Sequence, residues 1–120
     1  MLPNQWRRAL LRAALREVGY DAVGTRNVSA ATRIPARDPA RGDVKLIIVD
    51  QDALDESEAP VDALIKTHGA ASILIARATI AAPPGPWQRI LSRPLAIDDI
   101  VAAVQSLLPL SAERRHPIDA

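Results

Sequence analysis

Between positions 6 and 18 apolar side chains fall at Leu10, Leu11, Ala14, Leu15 and Val18, while Arg8, Arg12 and Arg16 repeat every four residues on another face. The spacing predicts an amphipathic helix, with Gly19 as its left-handed stop. Tyr20, Asp21, Ala22 and Val23 then read as the start of a short strand. Residues 28–34 suit a short helix, and Pro35, Pro39 and Gly42 limit how far it can run, so residues 34–42 are expected to be loop.

The next pattern is different. Val44, Lys45, Leu46, Ile47, Ile48 and Val49 form a nearly continuous, β-branched apolar run, as expected of a central parallel strand covered on both faces. An acidic stretch at residues 50–58 leads to a helix over 61–68, closed by Gly69. Ser72, Ile73, Leu74, Ile75 and Ala76 repeat the buried-strand pattern. Three prolines in residues 83–86 exclude regular helix there. Trp87 to Ser92 then gives a last short strand, ended by Arg93 and Pro94. Ile97, Ile100, Val101, Val104, Leu107 and Leu108 mark a final amphipathic helix, with Asp98 and Asp99 in the first turn, where the helix dipole favours them. Residues 109–120 read as a mobile tail, leaving 1–108 as one domain. Strands alternating with helices predict an α/β fold with a parallel sheet and helices on both faces.

Composition narrows the chemistry. Of 120 residues 48% are hydrophobic, yet Phe is absent, so Leu, Ile, Val and Ala must build the core. Fifteen basic and fourteen acidic side chains give a net charge of +1, which nominates no nucleic-acid partner. Residues 1–41 nevertheless hold eight arginines against Glu17, Asp21 and Asp38, so Arg8, Arg12 and Arg16 are candidates for contact with an acidic partner. Without cysteine, disulfides, thiolate metal sites and thiol nucleophiles are excluded. No signal peptide and no bilayer-length apolar run is visible, so the expected location is the cytoplasm, without a membrane partner. His68 and His116 lack the neighbours of a triad or zinc site, and His68 is expected at the surface. The acidic group Asp50, Asp52, Asp55, Glu56 and Glu58 lacks calcium-loop spacing and reads as a solvated loop. No phosphate-binding glycine motif supports a nucleotide cofactor.

Several pieces in order resemble the response-regulator receiver (CheY-like) domain over roughly residues 6–108. They are Gly19-Tyr20, the run Leu46-Ile47-Ile48-Val49-Asp50, the run Ser72-Ile73-Leu74-Ile75-Ala76, and Arg93-Pro94-Leu95 ahead of the last helix. The resemblance implies a flavodoxin-like parallel sheet with Asp50 at the phospho-acceptor position, at the carboxyl end of a central strand. It also marks Ala76 and Arg93 as switch positions. Receivers place a hydroxyl at the first of these, with Thr79 nearby here, and a lysine at the second.

The departures point to a degenerate receiver. The acidic pair that holds a divalent cation in receivers would fall near Leu2 and Pro3, and neither is acidic. Arg93 brings a planar fork in place of an ammonium and is expected to pair with Asp50. Only five residues precede the first helix, so the usual first strand is missing or atypical. Either residues 20–25 pair directly with 44–49, or another subunit supplies a strand, or the start is truncated. The proline-rich loop replaces the fourth helix, and Trp87 beside it is a candidate docking residue, with core filling as its alternative.

The expected function is a non-enzymatic, receiver-like signalling module that binds a protein partner such as a kinase or effector, with a homodimer as a further possibility. No metal or cofactor is expected, magnesium entering only if Asp50 is phosphorylated. The alternatives are a working receiver phosphorylated on Asp50 by a histidine kinase in two-component signalling, and an oligomer-forming structural protein on the same scaffold. Under the non-catalytic reading, Asp50→Asn should change stability little.

Overall fold

The computed structural model describes residues 1–35, 37–38, 42–55, 60–77 and 85–110. Helix α1 spans Gln5–Glu17, and the Asn4 side chain caps it by accepting from the Arg7 N–H at 3.0 Å. Gly19 follows with φ 106, the left-handed value expected of a helix stop. A single turn, α2, covers Val28–Ala31 and is capped by the Asn27 carboxamide, which accepts from the Ala30 N–H. Two antiparallel two-residue strands, β1 (Arg37–Asp38) within the stretch expected to be loop and β2 (Gly42–Asp43) at its end, pair with each other. A two-residue strand carries no alternation to read, which is why the pattern missed them.

The centre of the fold is a three-stranded parallel sheet in the order β3 (Leu46–Asp50), β4 (Ala71–Ala76), β5 (Arg89–Ser92). Helix α3 (Gln51–Asp55) follows β3 directly, in the stretch read as a solvated acidic loop. Helix α4 (Val61–His68) ends at Gly69, whose φ of 60 closes it in the left-handed conformation. Helix α5 (Ile97–Leu107) is capped by Asp99, whose Oδ2 accepts from the Ala96 N–H at 2.9 Å.

Alternation along the strands explains the continuous apolar runs. Ile47, Val49, Leu74 and Ala76 point to one face, packed with Val28, Ala31, Ala53, Leu64 and Ile65 of α2, α3 and α4. Ile73 and Ile75 point to the other, packed with Leu11 and Leu15 of α1 and Ile100, Val101 and Val104 of α5. Helices thus cover both faces, as an α/β layering requires. Ser72, fully buried among these side chains, donates its hydroxyl to the Pro86 carbonyl at 2.6 Å.

Two expectations need correction at the sheet's first edge. Residues 20–23 form no strand, and residues 20–25 do not pair directly with β3. Met1 and Leu2 lie between them instead. The Met1 ammonium donates to the Ile48 carbonyl, the Asp50 N–H donates to the Met1 carbonyl at 2.9 Å, and the Leu2 N–H donates to the Thr25 carbonyl at 3.1 Å. The first two bonds are those of a parallel bridge, with Met1 opposite Val49. Met1 and Leu2 therefore lie along the line of a further strand beside β3.

At the other boundaries, residues 85–88 form no helix, and most of the proline-rich loop lies outside the described residues. Of the stretch expected to be a tail from residue 109, Pro109 and Leu110 are described, and the Leu110 side chain lies 2.9 Å from where a Cβ on Gly19 would stand. Residues 111–120, including His116, lie outside the described residues.

Candidate functional site

Parallel pairing brings the ends of neighbouring strands level. Asp50 stands beside Ile75 and Ala76 beside Ser92, so the residues that follow each strand meet at one carboxyl edge. There Asp50, buried at the end of β3, accepts from two donors on Oδ1: the Asp52 N–H at 2.8 Å and Arg93 Nη2 at 2.9 Å. Arg93 extends its other arm, Nη1, to Asp52 Oδ2 at 3.0 Å, so one guanidinium spans both carboxylates. Arg77, just past β4, donates from Nε to Asp52 Oδ1 at 2.8 Å, and its backbone N–H donates to Gln51 Oε1 at 3.0 Å.

The electrostatics follow from this fork. The hydrogen bond from Arg93 holds the Asp52 carboxyl below the usual carboxylate range, with Arg77 adding to it and partial desolvation opposing. On the sheet side the Met1 α-amino group is enclosed, and burial lowers its pKa to about 5, the Asp50 charge opposing that fall. Arg93 Nε is buried and has no hydrogen-bond partner among the described residues.

A pocket of about 390 Å³ opens over the cluster, lined by Leu2, Pro3, Asn4 and Arg7 together with the two aspartates and two arginines. Its wall at Leu2 and Pro3 supplies no carboxylate. Of the oxygens that could face a divalent cation, Asp50 Oδ1 and both oxygens of Asp52 are engaged by guanidinium groups. Among the described residues, no three His, Cys, Asp or Glu side chains gather as a metal site.

The sequence-nominated positions divide. Asp50 and Arg93 meet, while Ala76 sits at the end of β4 with a buried methyl and no hydroxyl; Thr79 lies outside the described residues. Arg77 and Gln51 belong to the cluster and were not singled out from the sequence, and Asp52, read there only as part of a solvated acidic loop, belongs to it too. Trp87 is half-buried against the core, and a Cβ on Gly85 would stand 2.7 Å from its indole nitrogen. The exposed indole is that of Trp6, which is 80% accessible. Arg8 donates to the Leu2 carbonyl and Arg16 to the Ala22 carbonyl, while Arg12 is exposed on the same helix. His68 is half-buried, and its Nδ1 is buried with no partner among the described residues. No helix among the described residues is long and apolar enough to cross a membrane.

Compared with family models, with curated proteins and with solved structures, the chain matches none.

Proposed function

We propose that the chain is a degenerate receiver-like signalling module that acts by binding a protein partner and does not depend on metal-assisted phosphorylation. The observation that carries this reading is the Arg93 fork. One guanidinium holds Asp50 and Asp52 together, 2.9 and 3.0 Å away, at the edge where a receiver would hold its cation and phosphoryl group. A carboxylate accepts a phosphoryl group well only when a divalent ion neutralises the phosphate oxygens and leaves the nucleophile free. Here a cation would approach two carboxylates whose charge Arg93 already neutralises, one of them largely buried, and no further carboxylate stands at Leu2 or Pro3 to receive it. Ala76, lacking a hydroxyl, offers no donor to a phosphoryl oxygen. The cluster is therefore a fixed structural tie, and signalling falls to the surface.

Incubation with acetyl phosphate and magnesium, read by intact mass, tests this. The mass is expected to stay unchanged, and partner binding is expected to be the same with or without magnesium and phosphodonor. A phosphoryl adduct that disappears in Asp50→Asn would overturn the reading.

A further inference from the structure

Helix α1 holds two large apolar side chains in solvent. Trp6 is 80% exposed, and Leu10, one turn further on, is 57% exposed. Successive residues advance about 100° around a helix, so the two stand on one ridge. Ala9 and Ala13, also exposed, separate that ridge from a row made by Arg12 and Arg16. Arg16 donates to the Ala22 carbonyl at 3.2 Å, and Gly24 lies against the Arg8 side chain. Residues 22–24 thus run beside the arginine row, where the exposed Val23 adds apolar surface on its far side.

The arginines keep their charge. Arg8 and Arg16 donate to backbone carbonyls, and among the described residues none of Arg8, Arg12 and Arg16 is paired with a carboxylate. Residues 5–33 carry six arginines against Glu17 and Asp21, in a chain whose net charge is only +1. Glu17, the one carboxylate of α1, lies in its last turn, away from Trp6. Trp6 and Leu10 line neither the pocket over the Asp50 cluster nor the larger groove that Arg8 and Arg12 share with Arg33. They project from the surface.

From this arrangement we propose that α1 docks the protein peripherally on an anionic lipid bilayer. Trp6 and Leu10 enter the headgroup layer, and Arg12 and Arg16 meet the lipid phosphates and carboxylates beside them. An indole is favoured at headgroup depth, and guanidinium groups gain from the negative surface only within a Debye length of it. A nucleic-acid backbone would satisfy the cations and leave the apolar ridge in water. A folded partner would need a cleft cut to the ridge, whereas a bilayer yields to it. The sequence offers no membrane partner because it holds no bilayer-length apolar run, and a peripheral contact needs none. This contact does not depend on the state of Asp50.

Flotation of the full chain with vesicles of equal parts phosphatidylcholine and phosphatidylserine tests it. Binding should weaken as salt rises and should shift tryptophan emission to the blue, a shift absent in Trp6→Ser. Vesicles of phosphatidylcholine alone should bind at least about tenfold more weakly. Trp6→Ser and the exposed Arg12→Glu should each lose about tenfold without changing thermal unfolding. Lys66→Glu makes the same charge change on α4, across the sheet from α1, and should stay within about twofold of the parent. The proposal is overturned if the anionic vesicles do not bind, if Trp6→Ser or Arg12→Glu binds as well as the parent, or if Lys66→Glu is as damaging as Arg12→Glu. It is equally overturned if soluble polyglutamate gives the same affinity and the same blue shift. A dimer in sedimentation whose emission is already blue-shifted without lipid would also overturn it, since a second copy would then cover the ridge.

Discussion

Replacing Arg93 with alanine isolates the tie that defines the candidate site. Asp50 is 7% exposed at its side chain and Arg93 23%, so water can replace only part of what the guanidinium gives. A charge-assisted hydrogen bond of this kind contributes about 1.5–3 kcal/mol net, and partial access places this one toward the lower end. The second arm, to an Asp52 side chain that is 42% exposed, adds under about 1 kcal/mol. Arg93→Ala should therefore cost about 2 kcal/mol, or roughly 10 °C in melting temperature for a domain of this size. Arg93→Lys keeps the charge and loses the fork, and should fall between. Urea unfolding followed by circular dichroism measures both, and the urea slope should not change. Asp50→Asn, nearly neutral on the sequence reading, should cost about 1–2 kcal/mol because the amide keeps an acceptor for the Asp52 N–H but loses the charge facing Arg93. The double variant should then recover about 1 kcal/mol relative to the sum of the singles. Additive costs, or an Arg93→Ala variant within about 0.5 kcal/mol of the parent, would refute the assignment of a structural tie.

Other consequences are direct. Ile73→Ala empties a fully buried position at the centre of β4 and should cost about 3 kcal/mol in the same urea assay. The Asp52 carboxyl is depressed from 3.8, so its stabilisation is present above that value and is lost as pH falls below it, through the folded-state pKa. Asp52→Asn should flatten the acid limb of a stability–pH curve. The Met1 amine is lowered from 8.0 to about 5, so the unfolded chain binds the extra proton between those values, and stability should decline as pH falls from 8 to 5. Acetylating the Met1 amine should remove that decline, as melting curves across the window would show.

What the sequence made legible depended on repetition. The runs 44–49 and 72–76 and the stripe from Ile97 to Leu107 each repeat a signal over several residues, and each became the element expected. Asp50 was legible as the polar residue that ends a buried strand. Asp52 and Arg77 were not, because the contact between them depends on two strands lying parallel and level, which no local pattern records. A usable signal did exist: Asp50, Arg77 and Arg93 sit at or just beyond the ends of successive strands, and a parallel sheet brings such residues together. The helical turn Gln51–Asp55 was hidden by its charge, since its single buried apolar side chain, Ala53, makes no stripe. Tyr20 to Val23 had strand composition, but among the described residues no strand pairs with them, and Met1 and Leu2 meet β3 and Thr25 instead. A two-residue pairing such as theirs has no period to detect.

Under the proposed function, Asp50 is tied to Arg93 and does not serve as a cation-assisted phospho-acceptor. Amide spectra recorded before and after addition of magnesium and beryllofluoride test it most directly, because that pair mimics a phosphoryl group only on a carboxylate free to bind it. The Asp50, Asp52 and Arg77 signals should stay in place. A saturable shift centred on Asp50 and spreading to Ala76 and Arg93 would contradict the claim.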